Sequence, residues 1–154
     1  MNDKWDFRFL DVAQSISKWS KDPSTKVGAV IVDNNRRIVS TGYNGFPRLV
    51  EDAAERYNNR DEKLEMIIHG EINAIVFAKR DLADCTLYTY PLMPCSRCAA
   101  IVIQAGITRV VAPDHRINKQ FERWNRSFDR SREMFREAGV AVDLIPFELY
   151  NQCT

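Results

Sequence analysis

The chain has 154 residues, a length that fits one domain (1–154) around one core, and its interspersed charges sum to a formal +1. That balance argues against a broad electrostatic footprint for nucleic acid, and no apolar run is long enough to span a bilayer or to follow Met1-Asn2-Asp3-Lys4-Trp5-Asp6 as a leader. Four cysteines do not make a disulfide framework at this size, so a cytoplasmic protein is expected, in which a close cysteine pair signals metal or redox chemistry.

Residues 3–20 read as an amphipathic helix. Trp5, Phe9, Val12, Ile16 and Trp19 recur at steps of four and three, Asp3 with Asp6 resembles a helix start, and Asp22-Pro23-Ser24 ends the run. Val27 to Val32 is a nearly continuous apolar run, hence a buried strand. Asp33-Asn34-Asn35 turns the chain, and Arg36 to Thr41 returns as the second strand of a hairpin. Gly42-Tyr43-Asn44-Gly45-Phe46-Pro47 breaks regular structure, and its two glycines permit a close backbone approach. Residues 48–68 are polar and mixed, a surface helix or lid.

Helical spacing resumes from His69 to about Lys79, with Ile72, Ile75 and Val76 on one face. Cys85 to Tyr90 is a strand. Pro94 suits a first helical turn, the helix runs from Cys95 to Ala105, and Gly106 stops it. Ile107 to Ala112 is another strand. Residues 117–138 form a long helix with Ile117, Phe121, Trp124, Phe128, Phe135 and Ala138 on one face. Its other face, Arg123, Arg126, Arg130, Arg132 and Arg136 among acidic residues, reads as solvated. Gly139 ends that helix, and Val140 to Ile145 is the last strand. A hairpin followed by βαβ crossovers predicts an α/β fold with a mixed sheet and helices on both faces.

Two motifs carry chemistry: His69-Gly70-Glu71 and Pro94-Cys95-Ser96-Arg97-Cys98. One histidine and two cysteines are three ligands suited to zinc, with a fourth position left open. Cys95 and Cys98, three apart on a helix, point the same way, and the partial positive charge of a helix start favours thiolate. A lone Cys-x-x-Cys is equally a redox pair or two core cysteines; His69 turns the reading toward metal. Residues two apart on a helix differ by about 200°, which is what is expected if Glu71 is not a ligand and reaches the open position from another side, though spacing alone does not prove it. The expected reaction is hydrolytic. Glu71 takes a proton from a metal-acidified water, delivers it to a ring nitrogen and assists departure of ammonia. His-x-Glu followed by Pro-Cys-x-x-Cys is the signature of zinc-dependent nucleobase deaminases.

From about Leu10 to Val142 the chain resembles the cytidine-deaminase-like superfamily and, more closely, the deoxycytidylate (dCMP) deaminases. The resemblance rests on Asp22-Pro23-Ser24-Thr25-Lys26-Val27-Gly28, Thr41-Gly42-Tyr43-Asn44-Gly45, His69 to Ile75, the cysteine motif, and Ile103-Gln104-Ala105-Gly106-Ile107. Gly70 departs from the family's usual alanine. The resemblance implies a three-layer α/β/α fold with a central mixed five-stranded sheet. It implies hydrolysis of dCMP to dUMP and ammonia, supplying thymidylate synthesis, with one catalytic Zn2+ on His69, Cys95 and Cys98 and Glu71 as the catalytic residue. Asn44 then meets the substrate sugar, and Ser24 and Lys26 meet the 5′-phosphate. Asp114, His115 and Arg116, which follow a strand end, border the substrate. The family also implies a homo-oligomer, often a hexamer, activated by dCTP and inhibited by dTTP with Mg2+ on the triphosphate. Gly42, Tyr43, Asn44, Gly45, Arg48 and Arg80 would serve that nucleotide site. No second zinc site is expected, since residues 48–68 contain no cysteine and the chain has two histidines. The alternatives are another zinc deaminase, acting on cytidine, guanine or tRNA adenosine, or a non-catalytic zinc module with His115 as fourth ligand.

Overall fold

The first helix, α1 (Lys4–Ser17), begins at a reciprocal cap. The Asp3 carboxylate accepts from the backbone N–H of Trp5 at 2.8 Å and of Asp6 at 3.2 Å, and the Asp6 carboxylate accepts from the Asp3 N–H at 3.3 Å. The computed structural model describes residues 3–116 and 118–149. Met1, Asn2, Ile117 and Cys153, which entered the readings above, lie outside the described residues. No described helix is long and apolar enough to cross a membrane.

After α1 come β1 (Gly28–Val32), β2 (Ile38–Tyr43), two short helices α2 (Ala54–Asn58) and α3 (Arg60–Met66), α4 (Gly70–Ala78), β3 (Thr86–Tyr90), α5 (Ser96–Gln104), β4 (Arg109–Pro113), a 3-10 turn (Lys119–Trp124), α6 (Asn125–Glu137) and β5 (Ala141–Ile145). The five strands form one sheet in the order β2-β1-β3-β4-β5. β1 pairs antiparallel with both β2 and β3, whereas β3, β4 and β5 run parallel. The expected mixed five-stranded sheet with helices on both faces is therefore present.

Alternation along β1 divides the core. Val30 and Val32 face α1 and pack with Phe9, Leu10, Ala13, Tyr88 and Val111. Ala29 and Ile31 face the other side, among Ala74, Ala99, Val102, Phe128 and Phe135 from α4, α5 and α6. A polar network ties α1 to the parallel strands. Asp6, buried, accepts from both terminal nitrogens of Arg109 at 2.9 Å and from the Tyr88 hydroxyl at 2.8 Å, while Arg109 Nε donates to Asp143 at 2.8 Å. Burial alone would raise the Asp6 pKa, but the bonds from Arg109 and Tyr88 overcome it and hold the carboxyl below its ordinary value.

Several expectations need correction. Trp19 lies beyond α1, is 63% exposed and meets Tyr43 edge-on; the buried face of the helix runs through Asp6, Phe9, Leu10, Ala13, Ile16 and Ser17. β2 begins later than Arg36 and takes in Gly42 and Tyr43. A side chain on Gly42 would meet the Gly70 carbonyl oxygen at 2.3 Å and the Ala74 nitrogen at 2.4 Å, so the close approach allowed by glycine is the docking of α4 on β2. Val76, expected to be buried, is 51% exposed; α4 instead buries Gly70, Glu71 and Ala74. Pro94 stands before the cap of α5 rather than within its first turn. The expected helix over 117–138 is split into the 3-10 turn and α6.

Candidate active site

His69 and Cys95 are both helix caps. His69 precedes α4 with φ −69° and ψ 154°, and Cys95 precedes α5 with φ −67° and ψ 171°. Neither caps with its side chain, so both side chains are free to point away from their helices. Cys98 lies in the first turn of α5. His69 Nδ1 stands 3.5 Å from Cys95 Sγ and 3.3 Å from Cys98 Sγ, and the three donor atoms lie within 4.8 Å of one another. Among the described residues this is the one such His/Cys/Asp/Glu cluster, and His115 is not part of it.

The cluster fits zinc. Tetrahedral ligation with ordinary Zn–N and Zn–S lengths sets nitrogen and sulfur about 3.5 Å apart, which the two measured separations match. The protonation pattern is consistent with this donor set. The neighbouring Cys98 thiol and the His69 ring draw the Cys95 thiol down to about 4 against burial. The same contact with Cys95, with burial, pushes the Cys98 thiol up. His69 is raised, mainly by its bond with Cys95.

Glu71 is 2% exposed, and its Oε2 accepts from the Cys98 thiol at 3.8 Å. Burial raises its pKa, partly offset by the His69 charge. Because His69 is a cap rather than a helical residue, the regular-turn angle does not govern the pair. Both side chains line the same space, a cavity of about 650 Å³ including its mouth, together with Cys95.

The remaining expected residues divide. Ser24 and Asn44 line this cavity. The Asn44 amide is largely committed to the fold: Nδ2 donates to Asp22 at 3.3 Å and to the Thr25 carbonyl at 2.9 Å, and Oδ1 accepts from the Val27 N–H at 2.8 Å. Lys26 is exposed and does not line the cavity. Arg116 folds back on Asp114 at 2.8 and 2.6 Å and lines a separate concavity with Arg132 and Asp143. His115 is buried against the Phe128 ring at 4.2 Å, and among the described residues neither ring nitrogen has a hydrogen-bond partner. Gly42, Tyr43, Gly45 and Arg48 line a second concavity with Asn73 and Phe77, whereas Asn44 faces the first cavity and Arg80 lines neither.

Sequence reasoning missed most of the cavity wall. Lys63, from the stretch read as surface or lid, is buried. It donates to Asp22 at 3.0 Å and Ser24 at 3.2 Å. Trp124 packs against the core as its spacing predicts, and it also lines the cavity with its ring edge-on to His69 at 6.4 Å. Asp22, Thr25, Arg60 and Arg123 are among the other lining residues that were missed. Trp124 had its apolar spacing as a signal and Thr25 its place in the Asp22–Gly28 motif, whereas Arg60, Lys63 and Arg123 had none.

The model of the cytidine and deoxycytidylate deaminase zinc-binding region matches residues 3–113. An uncharacterized deaminase in the luxG 3′ region of Aliivibrio fischeri is 44% identical over 149 residues, 97% of this chain and 99% of that one. A probable deoxycytidylate deaminase of Caenorhabditis elegans is 37% identical over 146 residues, 92% of this chain and 74% of its own. The crystal structure of the dCMP deaminase from cyanophage S-TIM5 in complex with dCMP and dUMP has a TM-score of 0.71 at 22% identity, covering 94% of this chain and 99% of that one, a likeness of fold.

Proposed function

The chain belongs to the cytidine and deoxycytidylate deaminase zinc-binding family, and within it we propose that it converts dCMP and water to dUMP and ammonia. One observation carries the reading: a three-donor cluster lines a cavity beside a buried carboxyl. His69, Cys95 and Cys98 would hold zinc, which when bound acidifies a water molecule at neutral pH. Glu71 moves the protons. It takes one from the attacking water, places it on the ring nitrogen next to the reacting carbon, and supplies one to the departing ammonia. A carboxyl whose pKa burial has raised is better matched to carrying a proton both ways than an exposed one. Asn44 would border the sugar end of the substrate and Ser24 its phosphate end, since both line the cavity.

Kinship supports dCMP over other substrates, because the C. elegans relative is itself a probable deoxycytidylate deaminase. The test is a panel of dCMP, dCTP, cytidine, guanine and tRNA offered to purified zinc-loaded protein. Ammonia should be released from dCMP; release from another member of the panel and not from dCMP would overturn the assignment.

Regulation by dCTP and dTTP, with Mg2+ on the triphosphate, belongs to the same proposal. It is supported by the gathering of Gly42, Tyr43, Gly45 and Arg48 around one concavity. A homo-oligomer, a hexamer by kinship, is proposed with it; exposed Leu49, Val76 and Phe77 are apolar surface for self-association. Saturation curves for dCMP with and without dCTP decide the regulation, and superimposable curves would remove it.

A further inference from the structure

Charge on the cavity wall is already partnered in its interior and unpartnered elsewhere. Asp22 and Lys63, both buried, form an ion pair at 3.0 Å, and Ser24 takes a second bond from Lys63. The Asn44 amide is pinned to Asp22, Thr25 and Val27. Two further cations line the same cavity, Arg60 at the start of α3 and Arg123 in the 3-10 turn. Both are exposed, and among the described residues neither has a carboxylate within salt-bridge distance. The neighbouring Arg56 shows the contrast, since it pairs with Glu51 and Glu62.

Arg123 is also placed relative to the chemistry. Its guanidinium stands 5.9 Å from the Trp124 ring centre, and Trp124 meets the His69 ring at 6.4 Å. One side of the cavity therefore runs from the donor cluster, across an indole, to a free guanidinium. A substrate with an amine at one end and an anion at the other matches that polarity.

We propose that Arg60 and Arg123, reaching in from two separate elements, bind the 5′-phosphate and make this enzyme select nucleotides over nucleosides. The proposal rests on the dCMP reading above and moves the principal phosphate contact away from Lys26, which does not line the cavity. Arginine is suited to the task because its planar fork pairs phosphate oxygens two at a time.

The test uses the full zinc-loaded chain and its R60Q, R123Q and double variants, each checked for zinc content and far-UV dichroism. The phosphate is remote from the reacting carbon, so losing its contacts should raise KM and spare kcat. The expected result is a KM for dCMP raised about tenfold in each single variant and roughly a hundredfold in the double, with kcat held within about threefold. The preference for dCMP over deoxycytidine, as a ratio of kcat/KM, should fall by the same factor. An unchanged KM in the double variant overturns the proposal, and so does a fall in kcat at constant KM. These results leave the dCMP assignment standing. Parent protein that deaminates deoxycytidine and is inert toward dCMP overturns the assignment itself, and the phosphate contact with it.

Discussion

Gly42 is the backbone position on which the catalytic helix is seated, and Gly42→Ala is the sharpest test of that arrangement. The added methyl would lie 2.3 Å from the Gly70 oxygen, 2.4 Å from the Ala74 nitrogen and 3.0 Å from the Ala74 Cα, against the 3.4 Å at which ordinary contact begins. The shortfall is about 1.1 Å at the closest atom. All three are backbone atoms of α4, so no side chain can swing aside; the helix must retreat from β2 by about that distance. Overpacking of this kind costs about 1–3 kcal/mol, a fall in Tm of roughly 3–10 °C for a chain of this size. Gly70 is flanked by His69 and Glu71, so the displacement passes directly to a metal donor and the proposed proton carrier. A misplacement of about 1 Å costs roughly a hundredfold in rate. The assay is a thermal melt, zinc stoichiometry and ammonia release under saturating substrate. Gly45→Ala is the control, because its methyl would find nothing closer than the Tyr57 hydroxyl at 3.8 Å, and it should leave all three measurements near the parent values. A Gly42→Ala protein with parental Tm and turnover would refute the reasoning.

Glu71→Gln keeps the shape of the buried side chain and removes its proton chemistry, so zinc content should stay at the parental level while kcat falls roughly 10²–10⁴-fold; equal loss of zinc would assign Glu71 to the ligand set. Asp6→Asn leaves Arg109 with Asp143 as its remaining acidic partner, and should cost about 3 kcal/mol by chemical denaturation. The folded pKa of Asp6 is depressed, so its contribution is present above the unfolded carboxylate pKa and lost as pH falls through the folded one, and the variant should lack that acid-side loss. Burial, aided by the Arg132 charge, lowers the His115 pKa to about 4 from 6.5. Between those values the unfolded chain binds a proton that the folded chain does not. Stability should therefore decline by roughly 3 kcal/mol as pH drops from 6.5 to 4, and His115→Leu should flatten that part of the profile. An unchanged slope in the variant would show that another group governs it.

The order of elements was legible because the apolar periods are strong. Val27 to Val32 is a nearly continuous apolar run and Ile107 to Ala112 a short one rich in β-branched residues, both of strand length, and glycine or proline punctuates their neighbours. Asp6 shows what local reading cannot supply. It looked like a helix-start residue and does serve the cap, but its buried ion pair is with Arg109, 103 positions away. The donor cluster was legible for a different reason: ligand chemistry restricts residue types so tightly that His69, Cys95 and Cys98 stand out without any geometry. The cavity wall has no such restriction. Lys63 and Arg60 sit in a mixed polar stretch like any solvated helix, and only tertiary packing turns one inward against Asp22 and the other to the cavity's lining. Helix α6 was overextended because Phe121 and Trp124 continue its apolar spacing while belonging to a tighter turn.

The sheet is a composite, with an antiparallel hairpin on one side of β3 and two parallel crossovers on the other. His69 is carried by a helix packed on the hairpin side, and both cysteines by the first helix to leave β3. Neither side alone is a metal site. A cation bound there works as a suture between two subassemblies, so chelation should loosen the join itself, with the amides opening α4 and α5 losing hydrogen-exchange protection together.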